Sequence, residues 1–226
     1  MTSHSSARTP HAFGRWTLLI PAFAVGLVLP ACDESSISND PNLPNTLETD
    51  VQEMRVTSLN RPVQFSVVAK NRAGNVLPNI VFLWNSTNHL VLRPEGDGVY
   101  IPQVDGNATV RVRPDHEVHG TGVATLLAEI DVVVDQEVVE VEITPSGMVL
   151  DQPGAQATLV AEGRDDAGTP YHRDHTVEWE SGDESVVTVD PDGTVTAVSE
   201  GVAMIMATVG GVTGSVEVGV DFGGDE

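Results

Sequence analysis

Residues able to do chemistry are few, and most sit where turns are expected. His116 and His119 form a His-x-x-His pair, and His172 and His175 form a second. Three-residue spacing suits a helix or turn rather than one face of a strand. A zinc or nickel ion would need two more ligands, which the spacing does not supply, so solvated loops are the reading for both pairs. Asp165-Asp166, Asp183-Glu184 and Asp190 with Asp192 offer oxygen ligands. Ca²⁺ is the one cofactor candidate they raise, but aspartate at turns has its own structural reason, and no EF-hand spacing accompanies it. No G-x-S-x-G, P-loop or H-E-x-x-H occurs. No catalytic or metal-ligating set is therefore assigned, and the chain is read as a non-enzyme. Trp84 and Trp179 could stack on sugars. Each lies mid-strand among apolar neighbours, which favours core positions. Tyr100, Tyr171 and Phe222 are the other aromatics a carbohydrate site would need.

The elements that must position these residues are short and extended. Val63, Phe65, Val67 and Ala69 alternate with Gln64, Ser66, Val68 and Lys70, the period-two pattern of a strand with one apolar face. Ile80, Phe82 and Trp84 share a face. So do Val139, Val141 and Ile143, and Val212, Val216, Val218 and Val220. Asp190-Pro191-Asp192-Gly193 is a tight-turn signal, with Pro presetting φ and Gly tolerating positive φ. Asp105-Gly106-Asn107 reads as a hairpin turn between Val99–Val104 and Ala108–Arg113. The expected fold class is all-β: two tandem immunoglobulin-like β-sandwiches after a signal peptide and a disordered tether.

Composition agrees. The 226 residues suffice for one large or two small domains. Aromatics make up 4%, and Asp+Glu number 33 against Lys+Arg 11, for a net charge of −22. Such a surface repels nucleic acid, so no nucleic-acid partner is expected. The single cysteine excludes an intrachain disulfide.

From Val177 onward the motifs are specific. Trp179 and Ser181, Val186 to Asp190, Gly193 to Val198, Gly201 with Ala203, and Ile205 to Thr208 occur in order, with Leu150, Gly154 and Gly168 upstream. In these residues the stretch from about 137 to 221 resembles the bacterial Ig-like domain, group 2. The resemblance implies an immunoglobulin-like β-sandwich and points to bacterial surface and adhesion proteins, in which such domains recur. Residues 51–136 repeat the plan faintly. Gln64 to Ala69 aligns with Gln156 to Ala161, Gly74 with Gly168, and Trp84 and Ser86 with Trp179 and Ser181. Asp105-Gly106 aligns with Asp192-Gly193, and Gly122 to Ala124 with Gly201 to Ala203. The offset of 92 to 95 thus falls to 87 and then 79, as a duplication with loop changes would give.

At the N-terminus, Arg8 and Arg15 precede an uncharged apolar run, residues 17–31, as in an export signal. Cys32 follows at once, and Leu29-Pro30-Ala31-Cys32 resembles a bacterial lipobox. In that family of signals the thiol receives diacylglycerol and the chain is cut before it. The resemblance implies lipidation at Cys32 and a membrane partner through that lipid. The expected divisions are a signal peptide at 1–31, a tether at 32–50, Ig-like domains at 51–136 and 137–221, and a frayed tail at 222–226. The joint near Asp135-Gln136-Glu137 holds no Gly or Pro, so a short, stiff junction is expected. The functional expectation is an exported, envelope-anchored protein on the surface or periplasmic face. Its domains would act as spacer or adhesive modules toward protein or glycan. The alternative is a carbohydrate- or small-ligand-binding module.

Overall fold

A computed structural model describes residues 40–120, 123 and 125–223. The expected signal peptide, Cys32 and the first part of the expected tether lie outside the described residues. The rest is all-β, arranged in two halves that share no strand pairing.

In the first half, β2 (Glu53–Val56), β9 (Ala128–Val134), β8 (Gly106–Pro114) and β5 (Phe82–Ser86) form a four-stranded sheet in that order. The β2–β9 pair is parallel and the others antiparallel. Facing it are β3 (Val63–Gln64), β7 (Val99–Pro102) and β6 (Leu92–Gly96), while β1 (Thr46–Thr49) pairs with β4 (Val67–Lys70). The second half repeats the plan. Its four-stranded sheet is β11 (Met148–Leu150), β18 (Val212–Val220), β17 (Gly201–Val209) and β14 (Glu178–Ser181). Facing it are β12 (Gln156–Thr158), β16 (Thr194–Ala197) and β15 (Val187–Val189), and β10 (Glu140–Thr144) pairs with β13 (Val160–Arg164). A one-turn helix, α1 (His116–His119), lies between β8 and β9. Alternation along the strands makes each interior. In β18, Val216, Val218 and Val220 are buried while Thr213, Ser215 and Glu217 are exposed. Phe65, Leu92, Tyr100, Val110 and Ile130 fill one core, and Leu159, Val187, Val195 and Ile205 the other.

Strand pairing corrects the internal alignment. Thr46 opposes Lys70 as Glu140 opposes Arg164, an offset of 94. Val99 to Pro102 correspond to Thr194 to Ala197, and Gly106 to Gly201, an offset of 95. Gly106 opposes Val134 and Gly201 opposes Val220, so the last strands are offset by 86. Asp97-Gly98, not Asp105-Gly106, therefore corresponds to Asp192-Gly193. The structure shows why. A Cβ on Gly98 would lie 2.5 Å from the Phe65 carbonyl and 3.1 Å from the Trp84 ring. On Gly193 it would lie 2.5 Å from the Leu159 carbonyl and 2.9 Å from the Trp179 ring. Both glycines have positive φ, at 78° and 80°, so the site demands glycine twice over. Asp105-Gly106 is not a hairpin either: β7 pairs with β3 and β6, β8 with β5 and β9, and Gly106 marks the crossing between sheets. Gly106, not Gly122, is thus the counterpart of Gly201.

The expected tether ends too late. Thr46–Thr49 forms β1, with Leu47 buried, and Asn45 N–H donates to the Lys70 carbonyl at 2.8 Å. The folded part begins before residue 51 because β1 is the counterpart of β10, which the second sandwich needs to cover β13.

Candidate functional site: the joint between the two sandwiches

The densest polar assembly of long sequence separation among the described residues lies where the halves meet. It draws on the segment after β2, the crossing before β8, the linker after β9 and the turn after β13. Asp165 opens that last turn. Its Oδ1 accepts from the N–H groups of Ala167 (3.0 Å) and Thr169 (2.9 Å), which folds the loop back on itself. Its Oδ2 accepts from the Leu59 N–H of the first sandwich at 2.8 Å and from Gln136 Nε2 at 3.0 Å. Asp165 is 2% exposed, so this carboxylate is a buried charge with four donors and no cation. Burial pushes its pKa up, but the N–H groups of Leu59, Gln136, Thr169 and Ala167 outweigh that and hold it below the usual carboxylate range.

Gln136 is 1% exposed and is the linker's anchor. Besides reaching Asp165, its Nε2 donates to the Pro170 carbonyl at 3.0 Å, and its Oε1 accepts from the His172 N–H at 3.1 Å. Its own N–H donates to Asp105 Oδ1. Thr169 Oγ1 donates to the Leu59 carbonyl at 3.2 Å, and the buried Ser58 hydroxyl donates to Asp166. Every polar group at the centre thus has a partner on the other half or the linker, as burial requires.

Around this centre lies an ionic rim. Arg173 donates from Nε to Asp105 Oδ2 at 2.6 Å and from Nη2 to Asp135, both on the first-sandwich side. Arg55 reaches Asp135 and, at 2.8 Å, Glu137. Arg61 pairs with Asp166 at 2.9 Å. The hydrogen bond from Arg173 holds the carboxyls of both Asp105 and Asp135 below their ordinary range. The two carboxylates raise the guanidinium's pKa in return. The outer pairs are exposed and individually weak. The buried centre carries the specificity of the joint.

The other sequence-derived candidates fall elsewhere. His116 and His119 lie on α1, where His119 Nε2 accepts the Val81 N–H at 2.8 Å. His175 Nδ1 meets the carbonyl of Arg173 at 2.7 Å, and its ring tilts against Tyr171 at 5.4 Å. Asp183 Oδ1 takes the Ser185 N–H (3.0 Å), and Asp190 Oδ1 takes those of Asp192 (3.0 Å) and Thr194 (2.8 Å), so both cap turns. Among the described residues, no group of three His, Cys, Asp or Glu side chains could hold a metal ion. Trp84 and Trp179 are half-buried against the two cores. Tyr100 lies fully inside the first core against Phe65, Tyr171 stands at the joint beneath Arg173, and Phe222 packs on the second core. The three aromatics of the carbohydrate alternative therefore do not form one exposed cluster.

In the sequence Asp165 reads as a turn residue and Gln136 as linker. One signal was available. Asn71-Arg72-Ala73-Gly74 has the spacing of Asp165-Asp166-Ala167-Gly168, and Asn71 Oδ1 holds its own loop by the Ala73 (3.0 Å) and Asn75 (2.9 Å) N–H groups. The loop needs an acceptor there, but it does not need a charge. A charge at 165 is the mark of a second task.

The topology, the Trp179 packing and the Gly193 turn bring the second sandwich to its family. Residues 137–220 match the bacterial Ig-like domain, group 2. This group 2 Ig-like domain thus supplies the loop that docks on the first sandwich. Among solved structures, the S-layer protein SbsC is 23% identical over 80% of this chain and 28% of its own, with a TM-score of 0.36. Invasin, a bacterial integrin-binding protein, is 17% identical over 77% of this chain and 38% of its own, with a TM-score of 0.40. An EHEC O157:H7 intimin mutant is 26% identical over 36% of this chain and 46% of its own, with a TM-score of 0.27. The chain therefore spans less than half the length of each. A comparison with curated proteins finds none that matches.

Proposed function

We propose that the chain is a non-catalytic protein of the bacterial cell envelope, lipid-anchored at Cys32, whose two sandwiches serve as a stiff spacer and binding module. The observation that carries this reading is the joint. Asp165, Gln136 and the Leu59 N–H interlock in a buried, fully partnered centre, with Arg173 and Arg55 tying its rim. A link of that kind suits a protein that must hold a surface at a set distance and orientation. The export-like N-terminus with its sole cysteine, and the group 2 Ig-like domain, support the location.

The test is proteolytic shaving of intact cells with mass analysis of the N-terminal peptide. Expected are peptides from residues 40–223 in the shaved fraction and a diacylglyceryl adduct on Cys32. An unmodified peptide containing Cys32, recovered from the medium, would overturn the anchor.

A further inference from the structure

The two sandwiches differ at three equivalent positions of one surface. On the outer face of the first four-stranded sheet most positions are polar and two pairs are joined across strands, with Val133 and Leu83 the apolar exceptions. Thr109 Oγ1 donates to Asp131 at 2.9 Å, and Arg111 Nε to Glu129 at 2.8 Å. Arg55 and Asn107 lie on the same face, on either side of Val133. At the same register positions the second sandwich has Val149 for Arg55, Val202 for Asn107 and Met204 for Thr109. Val149 is 67%, Val202 57% and Met204 43% exposed. Gly219 lies between Val149 and Val202 in the sheet, so no side chain separates them. The result is an open apolar strip at positions where the sister sheet carries Arg55, Asn107 and Thr109.

Its border is acidic. Glu217 stands opposite Met204, Glu180 opposite Met206, and Glu178 two residues before Glu180 on the edge strand β14. All three are exposed, and none has an ion-pair partner among the described residues. From residue 137 onward the chain carries only two Lys or Arg side chains, Arg164 and Arg173. Both are already paired, with Glu142 and Glu162 and with Asp105 and Asp135 respectively.

We infer that the outer face of β11, β18 and β17 docks a partner protein through an extended segment with an apolar centre and lysine or arginine flanks. The apolar strip supplies burial and the unpaired glutamates supply charge complementarity. A second copy of this face is the wrong occupant, since two such faces would set Glu180 and Glu217 against like charges. The inference deepens the reading of the chain as a binding module and is independent of the lipid. Acylated Cys32 without docking at this face would defeat the inference alone.

The test uses the full chain with Cys32→Ser and a synthetic peptide with a Val-Thr-Val-Thr-Val centre between paired lysines. Backbone amide NMR should show shifts confined to 148–150, 202–206 and 217–219. Binding should weaken about tenfold in the triple variant Val149→Arg, Val202→Asn, Met204→Thr, which copies the first sandwich's own residues. Reversing charge with Glu180→Lys and Glu217→Lys should weaken it similarly, and should make the chain prefer a glutamate-flanked peptide. Three results would each overturn the inference: no localised shifts, equal binding of both peptides to the unmodified chain, or self-association through this face on sedimentation.

Discussion

Replacing Asp165 by asparagine isolates the joint from the loop that forms it. Asn71 shows that an amide oxygen holds this turn, so Asp165→Asn should keep one acceptor for Ala167 and Thr169. The other side then presents an NH₂ to two donors, the Leu59 N–H and Gln136 Nε2, which both point at Oδ2 in the parent. Rotating the Gln136 amide does not help, because its Oε1 already takes the His172 N–H. Two hydrogen bonds to a buried charged acceptor are lost and a buried N–H is left bare, a cost of roughly 3–5 kcal/mol. In urea unfolding at neutral pH, the transition that reports the joint should fall by roughly 2 M, given slopes of about 1–3 kcal/mol/M. Spin labels on the two sandwiches should show a broadened distance distribution. The pH dependence has a definite sign. Asp165 has a depressed pKa in the folded state, so its contribution is complete above the ordinary carboxylate range. It is lost as pH falls through the depressed value. Parent and variant should therefore converge in acid. A gap under about 0.5 kcal/mol at neutral pH, or one that widens on acidification, would refute the reasoning.

Three further outcomes are expected. Leu47→Ala should cost about 2–4 kcal/mol in chemical denaturation, because Leu47 is buried in β1; an unchanged midpoint would return 46–49 to a tether. Gly193→Ala should cost about 3 kcal/mol in thermal unfolding, through positive φ and a Cβ 2.5 Å from the Leu159 carbonyl, and an unaltered Tm would contradict the packing. The Tyr100 hydroxyl is buried without a partner, and burial pushes the phenol up to about 12. Tyr100→Phe should then stabilise by about 1 kcal/mol, and a loss would show that the hydroxyl has a partner after all.

What the sequence made legible follows from how each signal is carried. The second sandwich was readable because its inward residues are valines at strict alternation and its turn is Asp-Pro-Asp-Gly. β1 was missed because its inner face shows one large apolar residue, Leu47, between Thr46 and Glu48. Two signals of period two were needed, and the chain offers one. The hairpin at Asp97-Gly98 was passed over for Asp105-Gly106 since both dipeptides carry the same local turn chemistry. Only the Trp84 ring lying on Gly98 distinguishes them, and that is a tertiary fact. Gln136 was invisible for a related reason. A glutamine between Asp135 and Glu137 reads as a solvated linker, and its burial depends on three carbonyl and carboxylate oxygens that belong to a loop about thirty residues away.

The docking rule of the joint cannot be iterated along this chain. The position matching Leu59 in the second sandwich is Pro153: the neighbouring Asn60 and Gly154 both have positive φ and donate to matching carbonyls, Pro102 and Ala197. Proline has no N–H to offer an incoming aspartate. At the opposite pole, the residue matching Asp165 is Asn71, whose Nδ2 donates to the Pro41 carbonyl at 2.9 Å and presents no anionic oxygen. Each pole thus lacks the half of the lock that would let a like module stack on it, so a bead-on-string array built by this contact would stop at two.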